Sequence, residues 1–216
     1  YNAIDEELLQ LIASLKNRLR ISNIDDTPPL DRPQFFFDLL KDYVAVNCVG
    51  VQSFCKRALK AVGRPGIRID KLTSFMKLAR EQNIVLKLDL ILGLPFETSD
   101  SYIEGLEAFL PFFKDTDHIL NIHRLQILPG SDLEALCGEY KIVYSTTAPH
   151  LVLSTNTLSR QAMNDASKLT AVLFRVLNSP LRPTVFEVKE RLGNGFYPVL
   201  KGLLDAIMAS AELKQS

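Results

Sequence analysis

The sequence predicts an α/β fold with parallel strands, followed by a small α-helical unit. Three observations carry this expectation. Helical and strand periodicities alternate four times over the first two-thirds of the chain. The run Val85 to Leu92 (VLKLDLIL) is rich in strand formers and is stopped by Gly93 and Pro95. From Leu158 onward only helical periodicity remains, interrupted at Pro180, Pro183 and Gly193.

Taken in order, Asp5 to Lys16 sets Leu8, Leu9, Leu11, Ile12 and Leu15 along one helical face, and Leu19 to Ile24 alternates as a strand does. A turn at Thr27-Pro28-Pro29 leads to Asp31 as an N-cap and Pro33 in a first turn, so a helix is expected from Pro33 to Tyr43. A strand follows at Ala45 to Val51. Ser53 then caps a helix ending near Val62 at Gly63, and a second helix from Ile69 to Gln82 completes a long crossover to the strand at Val85. A helix from Ser99 to Phe113 and a strand from His118 to Leu128, ended by Pro129-Gly130, close the alternating part. The expected organisation is an α/β unit over residues 1–140, a linker over 141–157 and a helical unit over 158–216, with helices at Leu158 to Leu177, Thr184 to Leu192 and from Tyr197.

Alternating helices and strands call for parallel strands joined by right-handed crossovers, which limits the architecture to an open doubly wound sheet or a (β/α) barrel. Four strands cannot close a barrel and would leave bare edges, so further strands are expected upstream. Tyr1, standing where an initiator methionine would be, agrees with that expectation.

Composition narrows the function. With 25 basic and 25 acidic side chains the net charge is zero, which offers no bulk attraction to nucleic acid or to an anionic membrane. No apolar run reaches bilayer length and no secretory leader is present, so the chain reads as cytoplasmic. Cys48, Cys55 and Cys137 have neither disulfide-framework nor metal-knuckle spacing and read as reduced thiols. His118, His123 and His150 form no metal-ligating pattern, since the first two fall on opposite faces of one strand. The phenylalanines at 35–37 and at 109, 112 and 113 read as core.

In parallel α/β folds ligands lie beyond the carboxyl ends of the strands. Three segments qualify: Gly50 to Phe54 (GVQSF), Asp89 to Thr98 (DLILGLPFET) and Leu125 to Ser131 (LQILPGS). Asp89, set between Leu88 and Leu90, is a carboxylate in an apolar strand and needs a partner. Lys87 or Arg64 could supply it internally; ligand hydroxyls are the other choice. Arg64, beside Pro65-Gly66, is either a solvated surface arginine or a fork for a ligand carboxylate.

The run GVQSF, then RPG twelve residues after Gln52, then KLDLILGLPFET, then LQILPGSDL resembles the second half of the radical S-adenosylmethionine (SAM) barrel, in the branch shared by anaerobic coproporphyrinogen oxidase, methylthiotransferases and cobalamin-binding members. The resemblance covers about Tyr1 to Tyr140. The stretch from Val143-Tyr144 through Pro149-His150 to Thr157-Leu158-Ser159 is similar to the segment just C-terminal to the barrel in the cobalamin-binding members. The resemblance implies a half (β/α) barrel of the TIM type. It also implies that Gln52 and Asp89 receive the ribose hydroxyls of SAM and that Arg64 pairs with its carboxylate. Ile91 and the backbone of Leu125, Gln126 and Ile127 would flank the adenine, Ser53 would sit in the same loop, and Gly93 would let the chain pass close to the cofactor.

The family's chemistry needs a [4Fe–4S] cluster on a CxxxCxxC loop, and these 216 residues contain no such loop. The expectation is therefore a piece of a radical SAM enzyme, inactive alone, completed by an upstream half barrel and, in the cobalamin-binding branch, by an upstream cobalamin domain. The alternative is a non-catalytic half barrel serving as a scaffold or partner-binding module. An ordinary phosphate-binding α/β domain ranks lower, because neither GxGxxG nor GxxxxGK[ST] occurs.

Overall fold

A computed structural model describes residues 33–40, 46–64, 66 and 68–213, together with 23–25 and positions 7, 10, 11, 14 and 30. The expected helix over residues 5–16, the turn at 27–29, the cap at Asp31 and Pro65 lie outside the described residues or are described only at isolated positions.

Four strands, β1 (Asn23–Asp25), β2 (Val46–Gln52), β3 (Val85–Leu92) and β4 (Ile119–Arg124), form one parallel sheet in the order β1-β2-β3-β4. An order that never reverses, with right-handed crossovers, puts every connecting helix on the same face. β3 records this in its burial. Leu86, Leu88, Leu90 and Leu92 are buried under helices, whereas Val85, Lys87, Asp89 and Ile91 stand half-buried on the other face.

The helices are α1 (Pro33–Leu40), α2 (Lys56–Ala61), α3 (Ile69–Glu81) and α4 (Ser99–Phe109), which runs into a short 3-10 turn, Leu110–Phe113, at Pro111. Phe36 and Phe37 of α1 pack their rings on Phe75 of α3, with centroids 5.8 and 4.7 Å apart. Phe109 and Phe113 are likewise buried, so these aromatics belong to the core. α4 begins with a reciprocal cap, in which the side chains of Thr98 and Ser101 each accept the other's backbone N–H.

Beyond β4 lie a one-turn helix α5 (Asp132–Ala135), the antiparallel pair β5 (Val143–Tyr144) and β6 (Val152–Ser154), and three helices: α6 (Arg160–Leu177), α7 (Arg182–Leu192) and α8 (Phe196–Leu213). The linker expected at 141–157 thus carries a strand pair. The helices after it do not keep a core to themselves. Met163, Leu169, Val172, Leu173 and Val176 of α6 join the leucines of β3 and β4 in one hydrophobic cluster that also takes in Phe186, Phe196 and Leu200. Glu107 of α4 fixes α8 in place, accepting the backbone N–H groups of Phe196 (2.7 Å) and Tyr197 (2.5 Å) at the positive end of that helix. A side chain at Gly195 would collide with the Glu107 carboxylate at 2.5 Å, which explains the glycine.

Side chains cover part of the outer edge of β4. Arg182 donates to the carbonyl of His118, Asn178 donates to that of Leu120, and Arg124 Nε donates to Val152 O at 2.7 Å. Farther along, Gln126 bridges antiparallel to Leu151. The strand expected to run to Leu128 therefore stops at Arg124, because Leu125 to Ile127 pair with the segment leading into β6. None of the described helices is long and apolar enough to cross a membrane.

Candidate functional site

β2 ends in an irregularity that re-aims one side chain. Gly50 is in register with Asp89, but Gln52 pairs with Leu90 rather than Ile91, so Val51 is the extra residue of a bulge. Gln52 has φ +65° and sits at the centre of a three-residue turn closed by Ser53 N–H to Val51 O at 2.8 Å. A non-glycine residue in this conformation is strained, and such strain concentrates at sites of function. The turn folds the Gln52 carboxamide back over Gly50. A β-carbon on Gly50 would stand 2.5 Å from Gln52 Nε2 and 4.0 Å from an Arg64 guanidinium nitrogen.

Arg64 reaches this point because α2 stops abruptly. Gly63 (φ +67°) donates to Lys60 O and Arg64 N–H donates to Leu59 O at 2.9 Å. This paired reversal puts Arg64 directly after the turn, exposed and alongside the end of β2. Gly50, Gln52, Arg64 and, one strand over, Asp89 thus share one neighbourhood.

Asp89 is paired with neither Lys87 nor Arg64, the two internal partners the sequence offered beside a ligand's hydroxyls. Its Oδ1 accepts from Asn121 Nδ2 of β4 at 2.9 Å, the two residues being in direct register. His123, two residues on, stands over the same face with Nε2 3.9 Å from Asp89 Oδ1, and it also bonds Asn121 Nδ2. Ile91, two residues on from Asp89 and on the same face of β3, is in register with His123. Neither Asn121 nor His123 was expected in a site. The available signal was the alternation N-I-H, which puts both polar residues on the face of β4 that borders the Lys87-Asp89-Ile91 face of β3. His118, by contrast, is buried. Its Nδ1 accepts from Leu86 N–H and its Nε2 bonds Met76 O, and burial lowers its pKa.

One expected site residue, Ser53, turns inward. Ser53 is 4% exposed, and its hydroxyl donates to Glu97 Oε1 at 2.5 Å while accepting from Cys55 N–H. It caps no helix, since α2 begins at Lys56. Ser53 ties the β2 turn to the β3 loop instead of facing a ligand. Glu97 is 2% exposed, with Oε2 lacking a protein partner. Burial pushes its pKa up to about 7, against the opposing pull of Ser53 and the Gly93 backbone. Gly93 (φ +99°) has a packing reason of its own: a β-carbon there would lie 2.8 Å from Met163 Cε and 3.8 Å from Leu125 Cβ. The loop carrying Glu97 is held from the far side as well, by Phe96 N–H to Asn156 Oδ1 and by Thr157 Oγ1 to Glu97 O.

Leu125 and Ile127 bury their side chains in the core. Leu125 N–H donates to Leu92 O, Val152 N–H to Leu125 O, and Ile127 N–H to His150 O. With these bonds flanking the Gln126 bridge, the N–H and carbonyl of Gln126 point to the opposite edge, beyond the end of β3.

No protein-family model matches the chain. The cobalamin-dependent radical SAM methyltransferase TokK of Streptomyces tokunonensis is 30% identical over 102 residues, which are 45% of this chain and 15% of TokK. Among solved structures, the radical SAM methyltransferase TsrM of Kitasatospora setae, with tryptophan and a SAM analogue bound, superposes at a TM-score of 0.50 with 18% identity, over 68% of this chain and 31% of TsrM. The same enzyme with cobalamin and a [4Fe–4S] cluster gives 0.48 at 19% identity over 73% of this chain and 33% of TsrM. Coproporphyrinogen III oxidase of Escherichia coli gives 0.43 at 19% identity over 56% of this chain and 29% of the oxidase. The first of these superpositions shows a shared fold. This chain spans less than a third of TsrM and a still smaller share of TokK. In local sequence the chain is similar to a stretch of a radical SAM methyltransferase, and it shares its fold with part of another.

Proposed function

We propose that this chain builds one side of the SAM pocket of a radical SAM enzyme. The observation that carries the reading is the gathering around Gly50. An amide (Gln52), a guanidinium (Arg64) and a carboxylate (Asp89) come from three chain segments to the carboxyl ends of two neighbouring parallel strands. The donor set fits the molecule. Asp89 Oδ2 and the Gln52 carboxamide suit a ribose diol, and Arg64 suits the methionyl carboxylate. The apolar side of Ile91 and the outward backbone of Gln126 suit an adenine. Ser53 and Gly93 act on this pocket from behind, by holding the two turns in shape.

The role of these residues is to bind and orient. Reductive cleavage of SAM at a [4Fe–4S] cluster, giving methionine and a 5′-deoxyadenosyl radical, is the chemistry of the superfamily. The cysteines here do not fit such a cluster, since Cys48 is buried in β2, Cys55 precedes α2 and Cys137 follows α5. Its ligands are therefore assigned to protein outside these residues, and the chain alone should not cleave SAM. The likeness to TokK and to TsrM supports extending the reading to a cobalamin-dependent methyltransferase with a separate cobalamin domain.

Titration calorimetry of the 216-residue chain with S-adenosylhomocysteine tests the pocket. Weak binding is expected, and Asp89→Asn and Arg64→Ala should each lower it by about tenfold, the loss of one charge-assisted bond. Tight binding indifferent to both substitutions would remove the assignment and favour a scaffold.

A further inference from the structure

We infer that Asn121 is a positioning residue for the ribose-binding carboxylate, and that it holds His123 in the same act. This rests on the pocket reading above and names a member that the motif resemblance does not include. The geometry is specific. An amide nitrogen carries two N–H groups, and Asn121 Nδ2 has two neighbours that can accept them: Asp89 Oδ1 at 2.9 Å and His123 Nε2. The opposite amide orientation would set a carbonyl oxygen against the carboxylate, so Asp89 determines which way the amide points. That orientation in turn determines the imidazole, because a ring nitrogen that accepts from Asn121 carries no proton. In this arrangement His123 Nε2 is the acceptor and Nδ1 is left as the ring's donor.

The consequence for the carboxylate is geometric. With Oδ1 claimed by the neighbouring strand, Asp89 loses its freedom to rotate about its terminal bond and presents Oδ2 in one direction. A diol that needs an acceptor then meets one already oriented, which spares the ordering cost of binding. Without Asn121, the carboxylate could turn toward His123, whose Nε2 lies 3.9 Å away.

The experiment compares adenosine with 2′,3′-dideoxyadenosine on the full chain, because their affinity ratio reads the diol contact alone. Asn121→Leu keeps the volume and removes the donors, and Asn121→Gln restores an amide on a longer arm. Asn121→Leu should lower adenosine affinity by about tenfold while leaving dideoxyadenosine unchanged, with Asn121→Gln in between. Should Asp89→Asn abolish the preference for adenosine while Asn121→Leu retains it, the pocket stands and the positioning role falls. If Asp89→Asn retains it too, both fall. Imidazole nitrogen NMR supplies a ligand-free readout, and it decides alone if neither nucleoside binds. Wild type should show His123 with its proton on Nδ1, and Asn121→Leu should shift the ring toward the Nε2–H form. A wild-type His123 already protonated on Nε2, or a spectrum unmoved by Asn121→Leu, overturns the proposal.

Discussion

Glu97 is a carboxyl group almost wholly removed from water, with only part of its hydrogen-bonding capacity met. Burial favours the neutral form, so the folded chain holds this proton more tightly than the unfolded one, whose value is 4.5 against about 7. A raised folded value stabilises fully below the unfolded value and loses that contribution as pH rises through the folded one. Stability from this group should thus fall by up to about 3 kcal/mol between about pH 5 and about pH 8. Denaturant unfolding of Glu97→Gln at both pH values should show that slope reduced; an unchanged slope would remove Glu97 as its source. Gly50 gives a second residue-scale test. A methyl group there meets only the far ends of the Gln52 and Arg64 side chains, so Gly50→Ala should cost less than about 1 kcal/mol of stability. It should still weaken S-adenosylhomocysteine binding several-fold by displacing the amide, and unchanged binding would place Gln52 outside the pocket.

At the scale of elements, the turn after β3 depends on a glycine for two separate reasons, a left-handed backbone and the approach of Met163. Gly93→Ala should destabilise by about 2–4 kcal/mol, the sum of conformational strain and overpacking, as read from the midpoint of thermal or denaturant unfolding. Loss of less than about 1 kcal/mol would mean that the α6 contact yields easily. This dependence also shows what could be read from sequence and what could not. β3 and α3 were legible because each carries its own period: alternate burial in one, buried Leu72, Phe75, Met76 and Ala79 in the other. Asp89 was legible as a charge in an apolar strand. Its partner was not, because Asn121 is 32 residues away and its own strand alternates as any half-exposed strand does. The Ser53–Glu97 bond spans 44 residues and left no local trace, so Ser53 resembled a helix cap. The helices after residue 158 looked separable because amphipathicity reveals that a face will be buried without revealing against what.

For the whole molecule, the answer to that question is the sheet. α6 lies over β3 and β4 and shares their core, so the chain should fail when cut ahead of it. A truncation ending at Thr157 is expected to lose its cooperative transition and to bind a hydrophobic dye such as ANS. A truncated chain that unfolds as sharply as the intact one would restore the idea of two independent units. The side chains that seal β4 carry a further implication. Arg182 and Asn178 occupy carbonyls on which another strand would have to register, and the Gln126–Leu151 bridge extends the seal. Beyond β4, a further strand would have to displace Arg182 and Asn178 before it could pair, so among the described residues this rim of the sheet resists edge-to-edge addition.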